Sequence, residues 1–295
     1  MRKGKKVLGG SQNAFAYKLL GPSLILLVVL IGYPMIYNIV ISFQSVPINP
    51  KMDATFLGVE NYVSVLTDPS FYHSVGTTLV FTALVVAVST VMGLAVALLM
   101  NRTFAGKKLV NSIIIISYVV PSVCLIFVWR YMFNNIYGII NYFIVDLFHF
   151  TDEVPLWFDK PVSAFILVGI FAVWKFYPYA YMAFTAILQS IDKSLYEAAK
   201  IDGASKWEQF KAVTYPALKP TLVTVISLRT IWVFYIYAEV YLLTKQVDVL
   251  GVYLYDMAFA SQNFGKAAAI SIILFAVIFS FIMLLRKKVL KVEKD

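Results

Sequence analysis

Long apolar stretches alternate with shorter polar ones along this chain, and the apolar stretches have the length of membrane spans. Four of them contain no Asp, Glu, Lys or Arg, namely residues 19–50, 74–101, 109–129 and 267–285. Two more carry isolated charges: Lys175 in residues 161–191, and Arg229 with Glu239 in residues 220–244. A helix needs about 20 apolar residues to cross a hydrocarbon core of about 30 Å. The pattern therefore predicts an all-α membrane protein with six transmembrane helices.

The distribution of cations orients these spans, because the cytoplasmic loops of membrane proteins retain Lys and Arg. Most of the 25 cations lie before the first span, between the second and third, between the fourth and fifth, and after the last. The alternate loops hold only Lys51, Lys160, Lys245 and Lys266. We therefore expect both termini to be cytoplasmic. The expected order is a cytoplasmic segment at 1–18, a transmembrane domain at 19–286 with a cytoplasmic loop at about 191–219, and a cytoplasmic tail at 287–295.

Composition agrees with membrane insertion and argues against several function classes. The chain is 60% hydrophobic and 14% charged, whereas typical globular domains carry about 25% charged residues. The net charge of +9 is dispersed over the cytoplasmic segments and so does not indicate nucleic-acid binding. No phosphate-binding G-x-x-x-x-G-K-[S/T] motif occurs, and neither His73 nor His149 lies in a zinc-binding H-E-x-x-H motif. We predict no catalytic residue, no metal site and no bound cofactor, and we expect Cys124 to be a small core residue.

The loop at about 191–219, called the polar loop below, has the pattern of two short helices joined by a turn. Ser194 and Glu197 have the spacing of a capping box, which predicts that the first helix starts there. Gly203 can adopt positive φ and turn the chain. A second helix would cover about residues 205–214 and end at the prolines that follow. A solvated helical hairpin and a docking surface for a partner outside the membrane both fit this pattern.

The spacing inside the polar loop resembles that of a known transporter family. Glu197-Ala198-Ala199, Asp202-Gly203-Ala204, Phe210 and Pro216 resemble the E-A-A…D-G-A…F…P loop of permeases in binding-protein-dependent ABC importers. The likeness is greatest to the carbohydrate-uptake branch, which includes maltose-type and glycerol-phosphate-type systems. Residues 56–62, 129–141 and 263–269 resemble further elements of these permeases. One departure is that many members carry T-G-G-G-P after the fifth span, whereas Thr244 is followed here by Lys245-Gln246-Val247-Asp248.

The resemblance implies a type I ABC importer permease in a bacterial or archaeal cytoplasmic membrane. Such a chain would form a pore with a second homologous permease subunit above two ATP-binding subunits, which would bind ATP and Mg. An extracytoplasmic solute-binding protein would deliver a carbohydrate, either an acidic or an oligomeric sugar. The residues that would couple this chain to the ATPase are Glu197, Ala198, Ala199, Asp202 and Gly203.

Ionisable residues within the apolar stretches mark a candidate substrate path, since charges inside a bilayer are costly and usually functional. At about 100° per residue, the fourth and fifth spans would each present charged and aromatic side chains on one face. The candidate path residues are Lys175, Tyr179, Arg229, Trp232, Tyr235 and Glu239. Two cations against one carboxylate leave about one surplus positive charge, which favours an acidic sugar. In the structural alternative, Arg229 pairs with Glu239 or with the partner permease and Lys175 snorkels to the membrane surface.

Two other classes of function remain open at this stage. A secondary transporter or channel that works without ATP would be expected to contain inverted repeats, and we see no such symmetry in the sequence. A membrane-embedded structural or assembly protein would not need Lys175, Arg229 and Glu239 inside the membrane.

Overall fold

The computed structural model describes residues 9–49 and 51–292, and these are mainly helical. They form two compact units. The described residues up to Thr67, together with Met257–Leu274, form the first; Asp68–Asp256 and the described residues from Phe275 onward form the second. Residues 1–8 of the expected cytoplasmic segment at 1–18 lie outside the described residues. Residues 293–295 of the expected tail at 287–295 also lie outside them.

The first unit begins with α1 (Gly9–Leu27), a π turn at Val28–Gly32 and α2 (Tyr33–Ile41). The short strands β1 (Gln44–Ser45) and β2 (Thr55–Phe56) pair antiparallel, and α3 (Glu60–Leu66) follows.

Two sequence elements on which the family resemblance rests meet in this unit. The side-chain amide of Asn61 donates hydrogen bonds to the carbonyls of Ser42 and Gln44, at 2.9 and 3.0 Å. Gly265 lies against the same strand so closely that a Cβ on it would be 2.0 Å from the Gln44 oxygen. A glycine is therefore required at this contact.

The second unit contains most of the remaining helices. They are α4 (Pro69–Met100), α5 (Lys107–Val119), α6 (Ser122–Met132), α7 (Ile139–Asn141), α8 (Pro161–Ser190), α9 (Lys193–Ile201), α10 (Lys206–Gln209), α11 (Tyr215–Phe234), α12 (Ala238–Leu243) and α13 (Leu250–Tyr255). Further π turns occur at Tyr142–Leu147, Phe210–Thr214 and Asp256–Ala260, and α14 (Phe264–Val292) contributes to both units.

Helix α8 is at the centre of the second unit and packs against α4, α5, α11 and α12. It lies very close to α4 at Gly93, where a Cβ would be 2.6 Å from the Cβ of Ala180 and 2.8 Å from the backbone nitrogen of Tyr181. Small residues at such contacts let membrane helices approach closely, so that van der Waals packing holds them together.

Five helical segments among the described residues are long and apolar enough to cross a membrane: Tyr17–Ile41, Pro69–Met100, Pro161–Ser190, Lys206–Phe234 and Phe264–Leu284. The stretch predicted as the third span is instead broken, since α5 and α6 meet at an angle of 98°. Pro121 lies at the break, and a proline favours extended backbone in the residue before it, as observed at Val120 (φ −67°, ψ 135°). The six-span prediction is confirmed when this bent pair counts as one span.

The fifth span differs from its prediction at both ends. Pro216 and Pro220 do not end the second helix of the polar loop. Pro216 lies at the start of α11 and Pro220 inside it, so the helix continues to Phe234. A proline is tolerated in a first helical turn, where its missing N–H is not needed. The span then breaks at Tyr235, and a Cβ on Gly251 would lie only 2.4 Å from the carbonyl oxygen of Ile236 in the break.

Two corrections follow. The prediction that one continuous face of the fifth span carries the residues from Arg229 to Glu239 is wrong, because the break separates them into α11 and α12. The prediction that Cys124 is a core residue is also wrong. Its side chain is exposed on α6, which the 98° bend turns away from α5.

Candidate functional site

An ion pair inside the membrane-spanning region joins three predicted spans. The Lys175 ammonium on α8 lies 2.6 Å from the carboxylate of Glu239 on α12, and the two side chains are only 10% and 14% exposed. Lys175 also donates a hydrogen bond to the hydroxyl of Ser122, the first residue of α6. Glu239 lies in the first turn of α12, where the helix dipole favours a negative charge. The pair therefore connects α8 to the helices that follow both breaks.

This geometry decides between the structural alternatives. Lys175 is buried and paired, so the expectation that it snorkels to the membrane surface is wrong. Of the two partners expected for Arg229 in that alternative, Glu239 is wrong, because its carboxylate pairs with Lys175. Pairing with the partner permease stays a prediction.

Arg229 is fully buried among aromatic rings. Its guanidinium carbon lies 4.8 Å from the ring centroids of Phe176 and Tyr179 and 5.4 Å from that of Trp232. One of its nitrogens donates to the backbone carbonyl of Phe176. The Nε and Nη1 atoms have no partner among the described residues. Because Glu239 neutralises Lys175, the surplus positive charge predicted from the sequence is located on Arg229.

Pro178 explains why a neighbouring helix, α5, donates to the backbone of α8 at this level. A proline has no N–H, so the carbonyl four residues earlier, on Trp174, lacks its helical donor. The hydroxyl of Ser117 on α5 donates to that carbonyl at 3.1 Å. The Trp174 carbonyl thus receives its hydrogen bond from α5, the first half of the span that is broken at Pro121.

The structure brings the predicted path residues together in two groups. Lys175 and Glu239 form the ion pair, while Arg229 lies beside the rings of Tyr179 and Trp232, whose centroids are 5.2 Å apart. Tyr235 belongs to neither group, and its ring contacts that of Phe234 at 5.9 Å.

The first helix of the polar loop starts two residues earlier than predicted. Asp192 is the N-cap of α9, and its carboxylate accepts a hydrogen bond from the backbone N–H of Ser194 at 2.9 Å. This bond holds the pKa of Asp192 below its usual value. The predicted capping box of Ser194 and Glu197 is therefore wrong. A capping box is present instead at the start of α10, between Ser205 and Glu208.

The predicted turn at Gly203 is confirmed. Gly203 has φ +81°, and the N–H of Ala204 bonds to the carbonyl of Ala199 at 2.9 Å while that of Gly203 bonds to Lys200 at 3.0 Å. These two bonds form a Schellman motif, which needs a residue with positive φ at the glycine position. The turn therefore fixes the direction in which α9 leads into α10.

Helix α9 is held on one side and exposes an apolar surface on the other. The hydroxyl of Tyr196 hydrogen-bonds that of Thr214 at 2.8 Å. Leu195 is 52% and Ile201 is 87% exposed, and Ala198 is exposed between them. At about 100° per residue these three side chains lie away from Tyr196. We call these three residues the α9 face. Their i, i+3, i+6 spacing in a polar loop is the sequence pattern from which this face could have been predicted.

The predicted coupling residues lie at or beside this surface. Glu197, Ala198, Asp202 and Gly203 are exposed, and Ala199 is half-buried. The sequence interpretation missed Leu195 and Ile201.

With this geometry established, comparison with known proteins identifies the family. Residues 89–290 match the family described as the inner membrane component of binding-protein-dependent transport systems. The chain belongs to this family. It is 57% identical over 281 residues to the inner membrane ABC transporter permease protein YcjO of Escherichia coli (strain K12), covering 95% of this chain and 96% of that one. It is 34% identical over 235 residues to the trehalose/maltose transport system permease protein MalF of Thermococcus litoralis, covering 77% of each chain.

The fold has a close counterpart among solved structures. A chain of a bacterial ABC transporter involved in the import of the acidic polysaccharide alginate superimposes with a TM-score of 0.79 over 95% of this chain and 96% of that one, at 18% identity. The predicted type I importer permease fold is confirmed. The chain is a multi-pass permease subunit of the cytoplasmic membrane and a transport component, not an enzyme; ATP hydrolysis belongs to a separate subunit. A secondary transporter and a purely structural protein are therefore not supported.

Proposed function

We propose that this permease imports a carbohydrate and that the α9 face couples it to an ATP-binding subunit. The observation that carries the coupling proposal is the exposure of Leu195 and Ile201 on a short helix outside the membrane spans. Exposed apolar patches with polar surroundings usually mark protein interfaces. The turn at Gly203 and the bond between Tyr196 and Thr214 hold this surface in a fixed orientation.

The remaining partners follow from the family. The permease would form half of a pore with a second homologous subunit, and an extracytoplasmic binding protein would deliver the solute. Two ATP-binding subunits would bind ATP and Mg, with Glu197, Ala198, Ala199, Asp202 and Gly203 at the contact. The carbohydrate assignment is supported by the trehalose/maltose permease that this chain resembles at 34% identity.

The substrate path would involve Lys175, Tyr179, Arg229, Trp232, Tyr235 and Glu239. The ion pair of Lys175 and Glu239, with its hydrogen bond to Ser122, joins three spans, two of which are broken, so we expect it to rearrange when the pore changes state. Arg229 supplies the one buried cation that pairs with no carboxylate among the described residues, and this supports an acidic sugar as the substrate.

A single exposed isoleucine tests the coupling surface. Ile201→Asp places a charge on the α9 face, and we expect it to abolish co-purification with the ATP-binding subunit. Ile136→Asp is a matched control, because Ile136 is 91% exposed and lies outside the polar loop, whereas Ile201 is 87% exposed. Retained co-purification and normal transport in Ile201→Asp would refute the proposed surface, and equal losses in both variants would indicate a general effect of the charge.

A further inference from the structure

A basic pocket lies between the polar loop and the end of a membrane span. It has a volume of about 430 Å³, and its charged lining residues are Arg102, Lys200 and Lys206. No Asp or Glu is among the described residues that line it. None of the three cations forms an ion pair with a side chain in the described part of the chain. Three positive charges therefore converge without a counter-ion among the described residues.

The fold brings these cations together from separate elements. Arg102 follows the C-terminal end of α4, Lys200 lies in the last turn of α9, and Lys206 is the first residue of α10. The Schellman turn at Gly203 directs the lysines on either side of it to one pocket.

Nearby negative charge does not cancel this cluster. A helix C-terminus carries a partial charge of about −0.5, so the ends of α4 and α9 together offset about one of the three cations. Of the neighbouring carboxylates, Glu208 is bonded to the backbone N–H of Ser205 at 2.7 Å. Asp202 is exposed and does not line the pocket. A net positive charge remains to be matched by a ligand.

Three of the other lining residues are apolar and lie at the ends of membrane spans, while the rest are uncharged polar residues. Leu98 is in the last turns of α4, Leu188 is in the last turn of α8, and Phe210 begins the π turn before α11. Two candidate spans end next to the pocket, at Met100 and Ser190, and a third begins at Lys206. Cations beside apolar side chains at the ends of membrane spans suit a lipid. Its charged headgroup would contact the cations, and its acyl chains would begin at the apolar residues.

We propose that the basic pocket binds the phosphate group of an anionic phospholipid of the cytoplasmic leaflet. Anionic lipids attract juxtamembrane Lys and Arg, and basic pockets at the cytoplasmic ends of transmembrane helices suit their headgroups. One wall of the pocket is the end of α4 and the other is the polar loop, so a bound headgroup holds the loop against the span. The consequence for coupling rests on the proposed function, whereas the binding itself does not.

The test compares two double variants of the complete transporter, each of which replaces two cations by glutamine. Arg102→Gln with Lys206→Gln removes two pocket cations. Lys211→Gln with Lys219→Gln removes two cations of the polar loop that do not line the pocket. Native mass spectrometry then measures phosphatidylglycerol retained by each protein. We expect the pocket pair to bind this lipid roughly 25-fold more weakly than wild type, and the control pair to bind it normally.

Hydrogen exchange of the polar loop distinguishes the source of the phosphate and does not depend on ATP hydrolysis. In nanodiscs we expect phosphatidylglycerol to slow amide exchange in residues 191–214 of the wild type relative to phosphatidylcholine alone, and to have no such effect on the pocket pair. Equal lipid retention by the two pairs would overturn the proposal. Equal protection by inorganic phosphate in phosphatidylcholine would overturn the assignment to lipid. Loss of transport in Ile201→Asp with unchanged lipid binding would separate the two proposals.

Discussion

The Lys175 ammonium lies 2.6 Å from the Glu239 carboxylate, and this contact joins α8 to the helix that follows the break in the fifth span. Lys175 also donates to the hydroxyl of Ser122, and Ser122 is the first residue of the helix after the break in the third span. Helix breaks at membrane depth are tolerated where they are buried in protein or line a cavity, and in transporters they often surround the bound solute. The pair is thus placed where a change in the angle of either broken span would disturb it.

Removing one member of this pair should destabilise the protein strongly. Glu239→Gln leaves the buried Lys175 ammonium without its counter-ion, and such a change typically costs about 3–5 kcal/mol. We expect a clear fall in the thermal unfolding temperature of the purified permease. The double variant Lys175→Met with Glu239→Gln should recover most of that loss, because no unpaired charge remains. An unchanged unfolding temperature in Glu239→Gln would show that Lys175 finds another partner.

Arg229 should determine whether an acidic solute is accepted. It is fully buried, and the described residues provide no carboxylate partner for it. We expect Arg229→Gln to reduce uptake of an acidic sugar more than uptake of a neutral oligosaccharide in proteoliposomes. Arg229→Lys keeps the charge but loses the planar group that stacks on the rings, so it should retain part of the preference. If the acidic sugar is not transported, or Arg229→Gln leaves its uptake unchanged, the cation has a structural role.

Gly203 should be sensitive to side-chain shape because of its backbone conformation. Its φ is +81°, yet no heavy atom lies within 4 Å of the position a Cβ would occupy. Substitution therefore strains the backbone, by roughly 1–2 kcal/mol, without causing a clash. We expect Gly203→Val to uncouple ATP hydrolysis from uptake and Gly203→Asn to be milder, since Asn tolerates positive φ. Gly76→Val is the control, because Gly76 also has open space but no positive φ. Full coupling in Gly203→Val would contradict the role of the turn.

The exposed carboxylate Glu197 should contribute to the same contact. It lies on α9 next to Ala198, and the described residues include no ion-pair partner for it. We expect Glu197→Lys to leave the permease folded while reducing ATPase activity stimulated by the binding protein, because the reversed charge repels a basic partner. Lys193→Glu, on the same helix, tests whether any charge change has this effect. Normal solute uptake in Glu197→Lys would argue against the contact.

Cysteine labelling can test the predicted orientation. In a variant without Cys124, Asp152→Cys should react with an impermeant thiol reagent in intact cells, and Lys193→Cys should not. Both side chains are exposed, so a difference in labelling reports the side of the membrane. Ser205 is a poorer site because its hydroxyl caps α10. The opposite labelling pattern would reverse the topology.

Local sequence determined the membrane-spanning segments and the turn of the polar loop. The length of an apolar run is enough to predict a span, because burial of the backbone in lipid requires a helix whatever its neighbours are. Gly203 was predictable for a similar reason, since only a residue without a Cβ adopts positive φ at little cost. The E-A-A spacing around Glu197 indicated the permease family, and the match over residues 89–290 confirms this assignment.

Tertiary structure alone decided how distant residues combine. Glu239 could have paired with Arg229, ten residues away along the chain, but the break at Tyr235 turns it toward Lys175, 64 residues away. Gly251 packs closely against this break, and such a contact between distant segments is not encoded by local propensity. The pocket cations likewise come from three separate elements, namely α9, α10 and the segment after α4, and their convergence depends on the path of the backbone between them. Hydrophobic periodicity specifies which residues are buried, whereas the pairing of charges depends on which helices become neighbours.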